Sequence, residues 1–228
     1  MPGTAHPKIH RVSFASNLYL IDSDDAGLIL IDAGMPGARK PVRSALRALS
    51  KQLSDIQHIL VTHADPDHIG SLAGIKAESG ATVYAGQQAK GHVENHTLPP
   101  HVPPLMKPFL WPIMPFIKTT TVEVVVETGT RLDLAGGIVC IATPGHSPDH
   151  FAYYWEPERA LFAGDLFFRL GKLGLTPGVM AWDTAASKAS AAEVLGLEPR
   201  FIFTGHGSPL DTINDADAAE VAALQQNV

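Results

Sequence analysis

One cysteine, Cys140, stands in 228 residues, so no intrachain disulfide can form, a usage compatible with a reducing compartment. It lies in Gly137-Ile138-Val139-Cys140-Ile141-Ala142, which reads as a buried strand where packing outweighs nucleophilic chemistry. Basic residues are also few: 17 Lys and Arg against 23 Asp and Glu leave a net charge of -6, no footprint for a phosphate backbone. A nucleic-acid substrate is thereby disfavoured, and a small molecule that is neutral or apolar in part fits better. The stretch Met1-Pro2-Gly3-Thr4-Ala5-His6-Pro7-Lys8 lacks the apolar core of a signal peptide, so cytoplasmic residence is the default expectation. Gly-x-Ser-x-Gly is absent, as is any linker or low-complexity segment. Hydrophobic residues at 45% and charged residues at 18% describe a globular chain, long enough for one domain, 1–228, with a substantial core.

What is present is concentrated in Thr62-His63-Ala64-Asp65-Pro66-Asp67-His68-Ile69-Gly70-Ser71. His63, Asp65, Asp67 and His68 fall within six residues, directly after the apolar run Ile59-Leu60-Val61 that reads as a buried strand. Imidazole and carboxylate together suit zinc, iron or manganese, and the lack of a nearby thiolate argues against a Cys-rich structural zinc site. His146 in Thr143-Pro144-Gly145-His146, Asp165 in Ala163-Gly164-Asp165 and His206 in Thr204-Gly205-His206-Gly207 each follow another strand-like run. A lone His or Asp in a loop is ordinarily a surface group or a cap. Seven in this setting are hard to assign to chance.

In that order the motifs resemble the metallo-β-lactamase superfamily, whose hallmark is His-x-His-x-Asp-His after a strand, then a distant His, a bridging Asp and a last His. The resemblance runs from Leu28-Ile29-Leu30-Ile31-Asp32-Ala33-Gly34 to the Gly-His-Gly near the end. It implies an α/β fold, a four-layer αββα sandwich with the metal site at one edge between the sheets. It further implies that His63, residue 65 and His146 hold one ion, Asp67, His68 and His206 the other, and that Asp165 bridges them. Two zinc ions are the expectation, with iron or manganese as alternatives. Asp32, Gly34, Thr62, Thr143 and Gly205 match family positions that fix the loops, and His150 and Asp149 either join them or lie at the surface. His6, His10, His58, His92, His96 and His101 are expected in solvent or packing roles.

Asp65 departs from the family pattern, which has His there. Its side chain is shorter, so it binds directly with the loop or ion shifted, acts through a water, leaves a one-metal protein, or simply caps the loop backbone. Diiron flavoproteins of the superfamily carry Glu at this position, which is why iron and manganese stand as the alternatives to zinc. The expected activity is metal-dependent hydrolysis, a metal-activated hydroxide attacking an ester, lactone or thioester while Asp67 orients it and carries its proton. A non-haem iron redox protein and a catalytically weakened binding module are the alternatives.

Strands are expected at 9–14, 17–22, 27–32, 56–61, 81–85, 122–126, 130–134, 138–142, 151–155, 160–163 and 201–203. Helices are expected at 38–53, 69–79, 87–94, 215–225 and from Asp183 as N-cap through 195. Residues 96–118 break the pattern. Seven prolines there forbid a continuous helix or a central strand, yet the stretch is apolar. It reads as an insertion over the sheet edge near the metal loop: a pocket wall holding Phe109, Trp111 and Phe116, a homodimer contact, or a membrane-surface patch, with core packing an equal account of those aromatics. Residues 166–182 are a second candidate for the pocket lining.

Overall fold

Successive side chains of a strand point to opposite faces, and strands that are apolar on both faces need cover on both. The computed structural model describes residues 6–102, 105, 107–211 and 215–228. In the first half, β1 (Ile9–Phe14), β2 (Ser16–Ser23) and β3 (Gly27–Ile31) run antiparallel. There β4 (Ile56–Leu60), β5 (Thr82–Gly86) and β6 (Val124–Val126) add in parallel, so the sheet order follows the chain. Its connections carry α1 (Arg39–Ala48), α2 (Pro66–Ile69), α3 (Leu72–Ser79), α4 (Gln87–Asn95) and α5 (Lys107–Leu110). In the second sheet β7 (Arg131–Leu132), β8 (Ile138–Ala142), β9 (Phe151–Trp155), β10 (Ala160–Arg169) and β11 (Leu173–Leu175) pair antiparallel in turn. After α6 (Thr184–Leu195), β12 (Phe201–Gly207) lies parallel to β10, and α7 (Asp215–Gln225) follows.

Alternation along the strands sorts the core into layers. Leu18, Leu20, Leu28, Leu30 and Val83 pack with Val42 and Leu46 of α1, Ile75 of α3 and Val93 of α4. Their neighbours Tyr19, Ile21, Ile29, Ile31 and Tyr84 meet Cys140, Tyr153, Trp155, Phe162 and Phe203 of the other sheet. Leu161, Tyr154 and Ile202 pack with Ala191 and Val194 of α6 and Leu224 of α7. The architecture is therefore the αββα sandwich expected from the resemblance. Each large apolar side chain so buried contributes about 1.5–3 kcal/mol, and the polar tips are satisfied. Tyr153 Oη donates to Val61 O at 2.7 Å and Tyr19 Oη to Thr204 O at 2.7 Å, joining the two sheets beside the metal-loop strand and beneath His206. Burial pushes the Cys140 thiol up to about 12, in keeping with a packing role.

Several expected bounds shift for identifiable reasons. Helix α1 stops at Ala48, with Ser50 at φ +58°, and a 3-10 turn at Leu53–Asp55 follows. The helix expected at 69–79 is divided: α2 holds Asp67 and His68, and α3 starts after Gly70-Ser71. A Cβ on Gly70 would stand 2.2 Å from Pro36 Cδ, and Ser71 Oγ donates to Met35 O at 2.6 Å, so this junction is clamped to the loop after β3. Strands β10 and β12 run past their expected ends and carry Asp165 and His206 with them.

Within 96–118 the chain forms α5 and a 3-10 turn at Met114–Phe116. Phe109 is 70% exposed, Trp111 75% and Phe116 69%, so core packing of those aromatics is corrected: proline-broken backbone leaves no face that seats them in the core. Pro103, Pro104 and Met106 of that stretch, and Met1 to Ala5, lie outside the described residues. Among the described residues no helix is long and apolar enough to cross a membrane.

Candidate metal centre

Strand β4 ends at Leu60, and the loop that follows is held by one carboxylate. Asp32, in the left-handed region at φ +58°, accepts Thr62 N–H at 2.8 Å on Oδ1 and both Thr62 Oγ1–H and His68 Nδ1–H at 2.8 Å on Oδ2. The network assigns the protons. A carboxylate only accepts, so His68 Nδ1 donates and its Nε2 keeps a lone pair toward the site. Thr62 spends its hydroxyl proton on Asp32, so at 3.0 Å it accepts from His63 Nδ1, leaving the His63 Nε2 lone pair free. Pro66 opens α2, a position where its missing N–H costs nothing, and so places Asp67 and His68 in the first turn. Asp65 sits at the N-cap but makes no side-chain cap bond, which corrects the capping expectation.

The remaining donors come from the second sheet. His146 lies in the β8–β9 loop, tied to the start of α6 by Trp182 N–H to His146 O at 3.0 Å and Asp183 N–H to Gly145 O at 2.9 Å. Asp165 follows Gly164, at φ +49°, where the β10–β12 register shifts and the bulge re-aims the side chain. Its N–H donates to His150 Nε2 at 3.0 Å, and His150 Nδ1–H reaches Thr143 Oγ1 at 2.7 Å. Gly205 leaves room for the Asp165 carboxylate: a Cβ there would stand 2.0 Å from Oδ1. His206 stacks on Phe168 with centroids 4.9 Å apart.

These donors face one another across short gaps. Asp65 Oδ2 lies 3.6 Å from His63 Nε2 and 3.2 Å from His146 Nε2. Asp165 Oδ2 lies 3.7 Å from His146 Nε2 and 3.2 Å from His206 Nε2, and its Oδ1 lies 3.2 Å from His68 Nε2. Asp67 Oδ2 lies 3.3 Å from His206 Nε2 and 3.8 Å from His68 Nε2. Ligand atoms about 2.0–2.1 Å from a tetrahedral zinc ion stand roughly 3.3–3.4 Å apart, so these spacings match edges around a metal. His63 Nε2, His68 Nε2 and Asp165 Oδ1 are buried without a hydrogen-bond partner, as atoms waiting for a cation would be.

The electrostatics agree. Burial opposes ionisation of Asp65, but hydrogen bonds from His101 and His146 and the nearby His63 imidazole outweigh it and hold the carboxyl well below the usual range. At Asp165 burial is likewise overcome, by the neighbouring His68 and His206 imidazoles, each with a nitrogen 3.2 Å from a carboxylate oxygen. The imidazoles respond in the opposite sense. Against burial, Asp165, Asp32 and Asp67 raise His68 well above its ordinary value, and Asp165 and Asp67 raise His206 to about 9. Buried carboxylates of this density need positive charge, which a divalent ion would supply. His150, by contrast, is pushed well below its ordinary value by burial and by the neighbouring His63 and His146, and stays neutral as an acceptor.

A family model described as the metallo-beta-lactamase superfamily matches residues 12–206. The chain belongs to that superfamily. It is 26% identical over 229 residues to a probable metallo-hydrolase, YflN, of Bacillus subtilis, covering 91% of this chain and 86% of that one. It is 30% identical over 210 residues to a hydroxyacylglutathione hydrolase of Methylobacterium nodulans, covering 89% and 70%. In fold it is similar to BJP-1, a subclass B3 metallo-beta-lactamase of Bradyrhizobium japonicum, with a TM-score of 0.69, 23% identity and 96% and 89% coverage. Membership in this metallo-hydrolase superfamily supports metal-dependent hydrolysis as the general chemistry.

The six candidate donors that match the family pattern and Asp65, which departs from it, converge on one edge of the sandwich, and the supporting residues lie with them. Asp149 and His150 are buried rather than at the surface: Asp149 Oδ2 accepts Ala64 N–H at 2.9 Å and pins the metal loop. Sequence reasoning missed His101. Its Nε2 lies 3.1 Å from Asp65 Oδ1 and 3.2 Å from Oδ2, and its side chain is 2% exposed, so the expected solvent or packing role is corrected. The signal that could have found it is local: in Pro99-Pro100-His101-Val102 the Val102 N–H closes a turn on Pro99 O at 3.3 Å, with Pro at the second position, which fixes the imidazole's exit direction.

Proposed function

We propose that the chain is a two-ion metallohydrolase acting on thioesters, esters or lactones. The observation that carries this reading is the ring of donors about Asp165 at spacings of 3.2 to 3.8 Å, several of them buried and unpartnered. His63, Asp65 and His146 would hold one ion and Asp67, His68 and His206 the other, with Asp165 between them. Zinc suits the set best, and iron or manganese is also compatible with it. Bound there, such ions would supply Lewis acidity, which lowers the pKa of water toward neutrality and polarises a carbonyl oxygen. Asp67, whose side chain at 26% exposure is more open than Asp65 or Asp165, accepts a hydrogen bond from the attacking water and carries its proton to the departing thiolate or alkoxide. The acyl C–O bond forms as the C–S or C–O bond of the substrate breaks, and no Ser or Cys nucleophile takes part.

Substrate class is supported from two sides. Phe109 and Trp111 of the insertion, and Leu170, Val179 and Trp182 after the bridging Asp, expose apolar surface, and Trp182 is bonded through its backbone to His146. An apolar acyl group fits that setting, and similarity to a protein named hydroxyacylglutathione hydrolase favours a thioester. Elemental analysis of protein purified without added metal, for the wild type and Asp65→Ala, tests the reading alongside turnover of an acyl thioester, a lactone and an aryl ester. Two ions falling to one with hydrolysis impaired is the expected outcome. Failure of the wild type to take up metal, or to hydrolyse any of the three when loaded, refutes it. The pair of imidazoles at Asp65, His101 and His146, also suits non-haem iron. Turnover by zinc-loaded, iron-free protein would set that redox reading aside.

A further inference from the structure

We infer that His101 is itself a metal ligand: the imidazole absent from position 65 is returned to the site by the Pro-rich insertion, through Nε2. This rests on the metallohydrolase reading and adds a residue outside the seven. The donor atoms of Asp65, His101 and His146 all lie within 4.8 Å of one another, and the His101 and His146 rings stand 5.3 Å apart, edge to face. That is a second triad of two imidazoles and a carboxylate sharing His146 with the triad of His63, His146 and Asp165.

The placement runs against what burial alone would select. Around it the insertion turns Leu105 out at 80% exposure and Trp111 at 75%, while the polar imidazole is taken in beside buried Val102. Burying a polar ring and exposing indole is unfavourable unless the ring meets a partner that rewards it. Asp65 provides the reason. Being shorter than His, its carboxylate reaches less far into the site, and the Pro99–Val102 turn, anchored by buried Val102, aims an imidazole from the far side at that same carboxylate. Asp65 then shares the ion with His101, whose Nε2, 3.1 Å from Asp65 Oδ1, supplies the nitrogen donor.

The test uses full-length protein labelled with nitrogen-15 at histidine and loaded with cadmium-113, the His101 signals being assigned with His101→Gln. A one-bond cadmium–nitrogen coupling at His101 Nε2 is the expected result. Couplings at His63 and His146 with none at His101 would overturn the inference and leave the metal reading standing. A wild type that takes up no metal would overturn both. Zinc affinity by chelator competition gives an independent readout, because Gln keeps an N–H to donate to Asp65. Loss of a residue that only orients a ligand costs about 10–100-fold, so a fall of more than about 100-fold in His101→Gln is expected. A smaller fall would overturn the ligand role.

Discussion

Asp32 offers the most direct handle on how the loop is built. Replacing it with Asn keeps the size and tolerates its φ of +58°, a conformation that Asn and Asp adopt more readily than other side chains. Oδ1 still accepts Thr62 N–H, but an amide NH2 now faces Thr62 Oγ1–H and His68 Nδ1–H, both donors that the native oxygen accepts at 2.8 Å. The hydroxyl can rotate to accept; His68 can relieve the clash only by moving its proton to Nε2, the atom aimed at the metal. If the imidazole keeps its tautomer, a buried donor is left unpaired at about 1–3 kcal/mol. If it switches, the stability loss shrinks and the lone pair for the ion is lost. At a slope of about 2 kcal/mol/M in urea, the first route lowers the midpoint of the metal-free protein by about 0.5–1.5 M. Either route weakens zinc binding by about 10–100-fold. Equilibrium urea unfolding and chelator competition on the same preparation read both. A variant with an unchanged midpoint and an unchanged zinc affinity would refute the assigned proton positions.

Gly205→Ala places a Cβ 2.0 Å from Asp165 Oδ1 and should lower zinc affinity by at least about tenfold, read by chelator competition, with a stability loss of about 1–3 kcal/mol from overpacking. Glu123 is lowered to about 2 because Lys76, Thr121 and the Val83 N–H outweigh burial. Its folded value lies below the unfolded one, so its contribution is present above about pH 4.5 and fades as pH falls toward 2. Its side chain is 39% exposed, and solvent screening keeps the effect near about 1 kcal/mol. Glu123→Gln should therefore unfold at lower urea than wild type at pH 7 and match it near pH 2. Trp182→Ala should raise KM for long-chain acyl thioesters roughly tenfold with little change in kcat, as loss of a uniform apolar contact does; equal effects on short and long chains would count against an apolar subsite there.

Much of the fold was legible because period and punctuation agree. Five-residue apolar runs bounded by Gly, Pro or Asp marked β8 and β9 to the residue, and Asp183 announced α6, whose Ala185 and Ala186 N–H groups it accepts. Where bounds slipped, tertiary contacts lie at the place: at the break between α2 and α3 Gly70 admits the close approach of Pro36 and Ser71 Oγ donates to Met35 O, contacts that no window of sequence contains. Strand β10 continues past Ala163 because β12 pairs with it across the bulge.

By itself the sequence carried the resemblance that implies the sandwich, and it singled out seven candidate donors, because His63, Asp65, Asp67 and His68 share one short loop and the others each follow a strand-like run. Only the tertiary structure decided which nitrogen of His63 and of His68 faces the site, since Thr62 and Asp32 set their tautomers from 1 and 36 residues away. It alone brought in His101, 36 residues beyond Asp65. An ion needs donors a few ångströms apart in space, and sequence separation carries that information only when the donors lie on one turn of chain.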